Sequence, residues 1–176
     1  ELERTIEEGL SPETVVRGMT LLQHAAAEDA FLAAEFLLKK NVDPFQISFT
    51  NRNFPTTLAV RNNSLRVFNL LADKAPRSAQ VHHQVMMAIL ERNNAYDYLR
   101  TYVKHHRQTL KNMPACYLTT ALQYQASDKV LVLLINLYRE FSHSRHRAVI
   151  HQALTSEYSL AVIKVLLDRG AQVTLP

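Results

Sequence analysis

The sequence predicts an all-α fold, an α-solenoid of stacked helix-turn-helix repeats, and three observations predict it. An apolar triplet recurs along the chain at nearly constant spacing. A small apolar cluster with helical periodicity precedes each triplet. Glycine is scarce, at three in 176 residues, and tryptophan is absent. Such a composition argues against a β-rich fold or a Gly-rich phosphate loop and favours helices.

Taken in order, Leu2 to Glu8 reads as the second helix of an earlier unit whose first helix is missing. Gly18 to Phe45 then reads as a complete hairpin. A short apolar helix breaks at Glu28-Asp29-Ala30, a second apolar helix follows, and the chain exits through Asn41-Val42-Asp43-Pro44. Each helix is apolar on too much of its surface to stand alone, so the hairpin must stack on others like it. The triplets are Phe36-Leu37-Leu38, Leu70-Leu71-Ala72, Thr101-Tyr102-Val103, Leu133-Leu134-Ile135 and Val165-Leu166-Leu167, with starts 34, 31, 32 and 32 residues apart. The clusters before them are Leu22…Ala25-Ala26, Thr56…Ala59-Val60, Val85…Ala88-Ile89, Leu118…Ala121-Leu122 and Ile150…Ala153-Leu154. Spacing of three to four inside each cluster marks one helical face. Sharp breaks need a residue tolerant of positive φ, and where glycine is missing asparagine is the next choice. Asn41 closes the first hairpin, and Asn62-Asn63 and Asn93-Asn94 sit at the breaks inside units two and three. Pro44, Pro55, Pro76 and Pro114 fall between units, where a missing amide costs least.

These residues resemble the ankyrin repeats, whose unit runs Gly-x-Thr-Pro-Leu-His-x-Ala-Ala, a turn, Val-Val-x-Leu-Leu-Leu, then Gly-Ala-Asp. Gly18-Met19-Thr20-Leu21-Leu22-Gln23-His24-Ala25-Ala26 follows that pattern without a gap, and Phe54-Pro55-Thr56 keeps its proline in the second unit. Leu160 to Ala171 is similar to the family's second helix and exit. The resemblance spans the chain and implies a single domain over 1–176, with a partial unit at 1–17. Units follow at about 18–52, 53–82, 83–114, 115–146 and 147–176. Units three and four lack the Gly-x-Thr-Pro-Leu opening, and each needs an extra residue between its helices. A different α-solenoid of the HEAT or TPR kind, or a non-repeating helical bundle, is the alternative.

Composition bounds the rest. At 47% hydrophobic and 20% charged the chain has the balance of a globular protein, and its net charge of +4 favours acidic partners. Its longest strongly apolar run, Val130 to Ile135, is far short of the roughly 18 residues a membrane span needs. No signal-peptide pattern opens it, and a single cysteine, Cys116, fits a reducing, intracellular compartment, cytoplasmic or nuclear. The chain ends after Gly170-Ala171 without a polar cap, so a segment of a larger protein is expected.

Catalytic patterns are absent: there is no His-Glu-x-x-His, Gly-x-Ser-x-Gly or phosphate loop, so no enzyme, cofactor or metal is expected. Cys116 is expected in the core or at an interface. The paired histidines lack convergent ligand spacing and are expected in solvated loops. What stands out is basic charge. Between Tyr98 and Ser127 there is no acid, while Arg100, Lys104, Arg107 and Lys111 are present. Lys104 leads through His105, His106 and Arg107 towards the loop joining units three and four. His143, Arg145, His146 and Arg147 occupy the next such loop, and Arg77, His82 and His83 the previous one. Aligned, these loops form a basic edge, either merely solvated or a surface for an acidic partner. The ankyrin resemblance implies a protein or peptide partner gripped by finger loops and by the residues after each small pair. Those are Ala27 and Glu28, Arg61 and Asn62, Gln123 and Tyr124, and Thr155 and Ser156, with Leu90, Glu91 and Arg92 in the shifted third unit. Arg61 and Tyr124 are the strongest anchor types among them. Binding of nucleic acid or anionic lipid by the basic edge, or recruitment of substrate to a larger enzyme, is the alternative. The loop Phe45 to Phe54 alternates apolar and polar residues, and buried finger packing is expected for its apolar side chains, with exposed partner anchors as the alternative.

Overall fold

A computed structural model of the chain describes residues 2–76, 78–111, 116–137 and 158–169, together with Ala153 and Thr155. Its described residues are mainly helical, as the composition predicts. Contacts divide the chain into two compact units, Glu1–Ala88 and Ile89–Pro176.

The first unit opens with α1 (Leu2–Glu7) and a two-stranded hairpin, β1 (Val15–Val16) and β2 (Met19–Thr20). Arg17 and Gly18 reverse the chain with φ of 48° and 80°, the left-handed pair that matches the twist of a two-residue hairpin. Gly18 is also sterically required, because a Cβ there would lie 2.5 Å from Thr50 Oγ1. The Thr50 hydroxyl instead donates to the Gly18 carbonyl at 2.6 Å, and the Ser48 hydroxyl donates to the same oxygen.

Two helical hairpins follow, α2 (Leu21–Ala27) with α3 (Phe31–Lys39), and α4 (Pro55–Arg61) with α5 (Leu65–Leu71). A 3-10 turn, Ala72–Lys74, precedes α6 (Ala79–Leu90), within which the unit boundary falls. First helix packs on first helix, α2 on α4, and second on second, α3 on α5. Thr20 caps α2 in a capping box: Gln23 N–H donates to Thr20 Oγ1 at 3.1 Å, and Thr20 N–H donates to Gln23 Oε1 at 2.7 Å. The Gln23 amide then donates across to the carbonyls of Asn51 (2.9 Å) and Asn53 (2.7 Å), tying the first hairpin to the start of the second. Asp29 makes a second tie. Its carboxylate accepts the Val67 N–H at 3.2 Å, capping the N-terminal turn of α5 from the neighbouring hairpin. Arg66 lies 5.1 Å from the Phe31 ring centroid, a cation–π contact across the same seam.

In the second unit, α7 (Ala95–Leu110) precedes α8 (Cys116–Gln123), α9 (Asp128–Leu137) and α10 (Leu160–Asp168). The second-helix positions stack again, since α9 packs against both α7 and α10 besides its own partner α8. Tyr98, Tyr102 and Tyr117 are fully buried and fill this unit's core.

One turn recurs in both units. Asp29, Asn63 and Gln125 hold φ of 50°, 62° and 51° between their helices. Each is followed by an N–H that bonds five residues back: Ala30 to Ala25 (2.9 Å), Ser64 to Ala59 (2.8 Å) and Ala126 to Ala121 (2.8 Å). The acceptor each time is the alanine that opens the buried small pair. The breaks of units one and two span three residues, while those at 91–94 and 124–127 span four, the extra residue expected of units three and four. Asn41 is left-handed as expected, at φ 61°. Asn94 caps α7 at φ −105°, so the third break uses a different backbone geometry.

Most described cluster positions and the centre of each triplet are interior, while Leu167 is exposed and Ile150 and Leu154 lie outside the described residues. The middle residue of every triplet, Leu37, Leu71, Tyr102, Leu134 and Leu166, is at most 2% exposed. Leu22, Ala25, Ala26, Thr56, Ala59, Val60, Val85, Ala88, Ile89, Leu118, Ala121, Leu122 and Ala153 are buried as well. The loop at 45–54 departs from expectation. Ile47 is exposed and Phe49 entirely so, while Ser48 between them is buried and bonds Gly18 and Asn51. Ser48 is held inside by hydrogen bonds to backbone, while Phe45 and Phe54 are half-buried with ring centroids 5.7 Å apart, so of the alternating apolar residues Ile47 and Phe49 turn out.

Two expectations follow for stability. Gln23→Ala leaves buried carbonyls without a donor and should cost roughly 2–4 kcal/mol, read as a lower urea midpoint with unchanged slope. Burial pushes the Tyr102 and Tyr117 phenols well above the ordinary tyrosine value, with Tyr117 beside Tyr102 and Cys116 beside Tyr117 adding to the shift. Their folded-state values are raised, so the stability they contribute is complete below about pH 10, where the unfolded chain also keeps its phenols neutral. Above that pH it is lost, at up to about 1.4 kcal/mol per pH unit for each tyrosine. Tyrosinate absorbance should therefore lag for these residues until the second unit unfolds. Full ionisation with helical dichroism intact would contradict the packing described.

Candidate functional site

The shared turn decides which side chains reach solvent. Once the small pair is buried and the chain reverses, the next residues lie outside. Ala27 is half-buried and Glu28 exposed, Arg61 and Asn62 are exposed, and so are Gln123, Tyr124 and Thr155. Tyr124, at 46% exposure, is one of the largest apolar surfaces offered by the second unit. Asn62 serves the turn itself, its side-chain amide donating to the Leu58 carbonyl at 3.0 Å. Arg92 is half-buried, donates through Nε to Asn94 Oδ1 at 2.9 Å and stacks 5.7 Å from the Tyr98 ring. In the same break Leu90 is buried and Glu91 exposed, so of this shifted turn only Glu91 is fully presented.

Arg61 is oriented by a relay that starts in the core. Gln23 holds the Asn53 carbonyl, Asn53 N–H and Nδ2 donate to Asn51 Oδ1 at 3.0 Å, and Asn53 Oδ1 accepts from Arg61 Nη1 at 2.8 Å. Beside it, within the first unit, is a cleft of about 370 Å³ lined by Arg52, Asn53, Thr57, Arg61, His83, Gln84 and Met87. Among the described residues its lining holds two guanidinium groups and an imidazole. The sequence reading singled out Arg61 here but missed Arg52, and it placed His83 elsewhere. His82 and His83 lie within α6, not in a loop; His82 is fully buried and His83 exposed. The reason is helical phase: His82 shares the face of Val81, Val85, Met86 and Ile89, and His83 falls beside it towards solvent.

His105, His106 and Arg107 likewise belong to the last turns of α7 rather than to a linking loop. His105 and Arg107 are exposed, whereas His106 is half-buried, its ring 4.6 Å from that of Tyr102 and its backbone outside helical values at φ −119°. Arg100, Lys104, Arg107 and Lys111 follow one another along this helix at steps of four, three and four, the spacing of one face. Cys116 is exposed at the first position of α8, not in the core. Arg77, His143, Arg145, His146, Arg147 and Ser156 lie outside the described residues. Among the described residues no group of three or more His, Cys, Asp or Glu side chains could hold a metal ion, and no helix is long and apolar enough to cross a membrane.

Exposure separates surface residues from core ones in a measurable way. Tyr124→Ala should shift stability by no more than about 0.5 kcal/mol. Tyr117→Ala should cost roughly 3–5 kcal/mol by opening a cavity in the second unit's core. Thermal and urea unfolding of the two variants should differ accordingly.

No family model matches the chain, and no curated protein is detectably similar to it.

Proposed function

We propose that this chain is an ankyrin-like array of helical hairpins that acts as a protein-interaction module in an intracellular setting. It is a binder rather than a catalyst. The observation that carries this reading is the recurring turn. Three hairpins share its hydrogen bonds, and each one buries its small pair and presents the next side chains, Glu28, Arg61 and Tyr124 among them, to solvent. Hairpins that each present one or two such side chains suit an extended partner, because each hairpin adds contacts without altering the scaffold. Arg61 is pre-oriented by Asn53, and Tyr124 is rigid and large. Both lower the entropy lost on binding, and both residue types dominate interface energetics. The partner is a protein or peptide with acidic character, matching the net positive charge.

A second reading is favoured by one observation, the row of Arg100, Lys104, Arg107 and Lys111 along α7. Such a face attracts nucleic acid or anionic lipid by charge alone. Salt separates the two readings. Affinity carried by this face should fall steeply with rising salt, whereas a shape-dependent peptide surface should lose far less.

The test is affinity capture by the chain, with the bound set compared among the parent, Tyr124→Ala and an Arg145→Glu/Arg147→Glu variant. Partners should be depleted at least tenfold by Tyr124→Ala, with the charge reversal reducing capture of acidic ones. An unchanged bound set in both variants would sink the assignment of this interface.

A further inference from the structure

Two adjacent loops of the first unit carry an apolar tip that its fold leaves uncovered. Phe49 is the most exposed of the large apolar side chains among the described residues, and Ile47, Val15 and Val16 are exposed as well. Hydrogen bonds hold the two loops together. The hydroxyls of Ser48 and Thr50, on either side of Phe49, both donate to the Gly18 carbonyl, in the turn that follows Val15 and Val16. The Ser48 hydroxyl also accepts the Asn51 N–H at 2.9 Å, so the backbone is fixed before and after the exposed ring. Phe49 is therefore held out by its neighbours rather than left out by a loose loop. Arg17 and Arg52 flank the tip, one in each loop, and both are exposed. Among the described residues neither guanidinium has a hydrogen bond or an ion pair. No acid occurs from Val15 to Thr20 or from Phe45 to Phe54. The nearest acids along these segments, Glu13 and Asp43, precede them, and the Asp43 carboxylate is engaged with the Phe45 N–H at 2.9 Å.

We infer that this tip docks on an anionic lipid bilayer. Phe49 and Ile47 enter the boundary between headgroups and acyl chains, and Arg17 and Arg52 pair with the lipid phosphates and carboxylates. Exposure and charge together select this occupant. A ring with no protein atom over it offers a partner no pocket, so the partner must supply the whole cavity around it. A bilayer interface does so without a matched shape. The two arginines have the sign that an anionic leaflet attracts, and a planar guanidinium binds a phosphate through paired N–H donors. Because the backbone on both sides of Phe49 is already bonded, little ordering entropy is lost on insertion. One ring with a few aliphatic side chains makes the attachment weak and reversible. The inference does not rest on the interaction-module reading, since none of its residues belongs to the turns that present Glu28, Arg61 and Tyr124.

The chain contains no tryptophan, so Phe49→Trp places a single fluorescent reporter at the tip. The experiment adds to it vesicles of phosphatidylcholine, with and without phosphatidylserine. Emission should shift to the blue and saturate with the phosphatidylserine vesicles, less with phosphatidylcholine alone, and the shift should shrink as salt rises. In co-sedimentation with the same vesicles, Phe49→Ser should weaken partitioning about tenfold. Arg17→Gln and Arg52→Gln should each weaken it about fivefold. All three positions are exposed, so the melting temperatures should match the parent and separate a docking role from a structural one. The proposal is overturned if neither vesicle shifts the emission, or if Phe49→Ser partitions as the parent does. It is also overturned if an Arg100→Gln/Lys104→Gln variant loses vesicle binding while Phe49→Ser keeps it, which would assign lipid binding to α7. A blue shift that grows with chain concentration alone would give the tip to a second copy and overturn the lipid assignment. Capture of protein partners should be the same in Phe49→Ser as in the parent. Loss of capture in that variant with vesicle binding intact would overturn this tip as a lipid contact and leave the module reading standing.

Discussion

Three of the reversals between paired helices in this chain use one residue in left-handed backbone and a carbonyl to close the turn. The rest of this architecture depends on that constraint. At Asp29, Asn63 and Gln125 the reversal places the following N–H against the carbonyl of an alanine five residues earlier. Alanine there keeps the turn close to the helix and lets the adjacent hairpin approach. Glycine would satisfy the dihedral with less strain, yet Asp, Asn and Gln occupy these positions. At Asp29 the side chain explains the exception, because its carboxylate caps α5 of the next hairpin, which glycine cannot do.

Stacking in the first unit is thus held by directional bonds as much as by apolar area. Gln23 caps its own helix through one atom and holds the next hairpin's lead-in through another. The same bonds set Asn53, and Asn53 sets Arg61, so a fully buried amide positions an exposed cation. The residues that align the hairpins therefore also fix the wall of the basic cleft. The second unit's described core relies instead on three buried tyrosines, and burial makes the phenols of two of them, Tyr102 and Tyr117, resist ionisation, so its stability is sensitive to alkali.

Much of the fold was legible from spacing alone. Triplets about 32 residues apart and clusters at steps of three to four identified the interior positions, because burial on a helix depends only on phase along one segment. Side chains whose fate depends on what packs opposite were misread. His82 and His83 are adjacent in sequence, yet one is buried and the other exposed, since α6 begins earlier than the histidine pair suggested. In the finger, Ile47 and Phe49 alternate like buried strand residues, but Ser48 takes the interior because the Gly18 carbonyl needs a donor there.

The sequence by itself determined the helical class and the buried middle residue of each apolar triplet. Local periodicity encodes these, and no distant residue is needed to read them. Tertiary structure decided which cations share a surface. Arg52, Arg61 and His83 span 32 residues and three segments, and no spacing rule links them, yet all three line one cleft. It also decided that Thr57 would be buried with its hydroxyl unpartnered among the described residues. A hydroxyl on a helix is satisfied or orphaned according to the groups that the rest of the fold brings within reach.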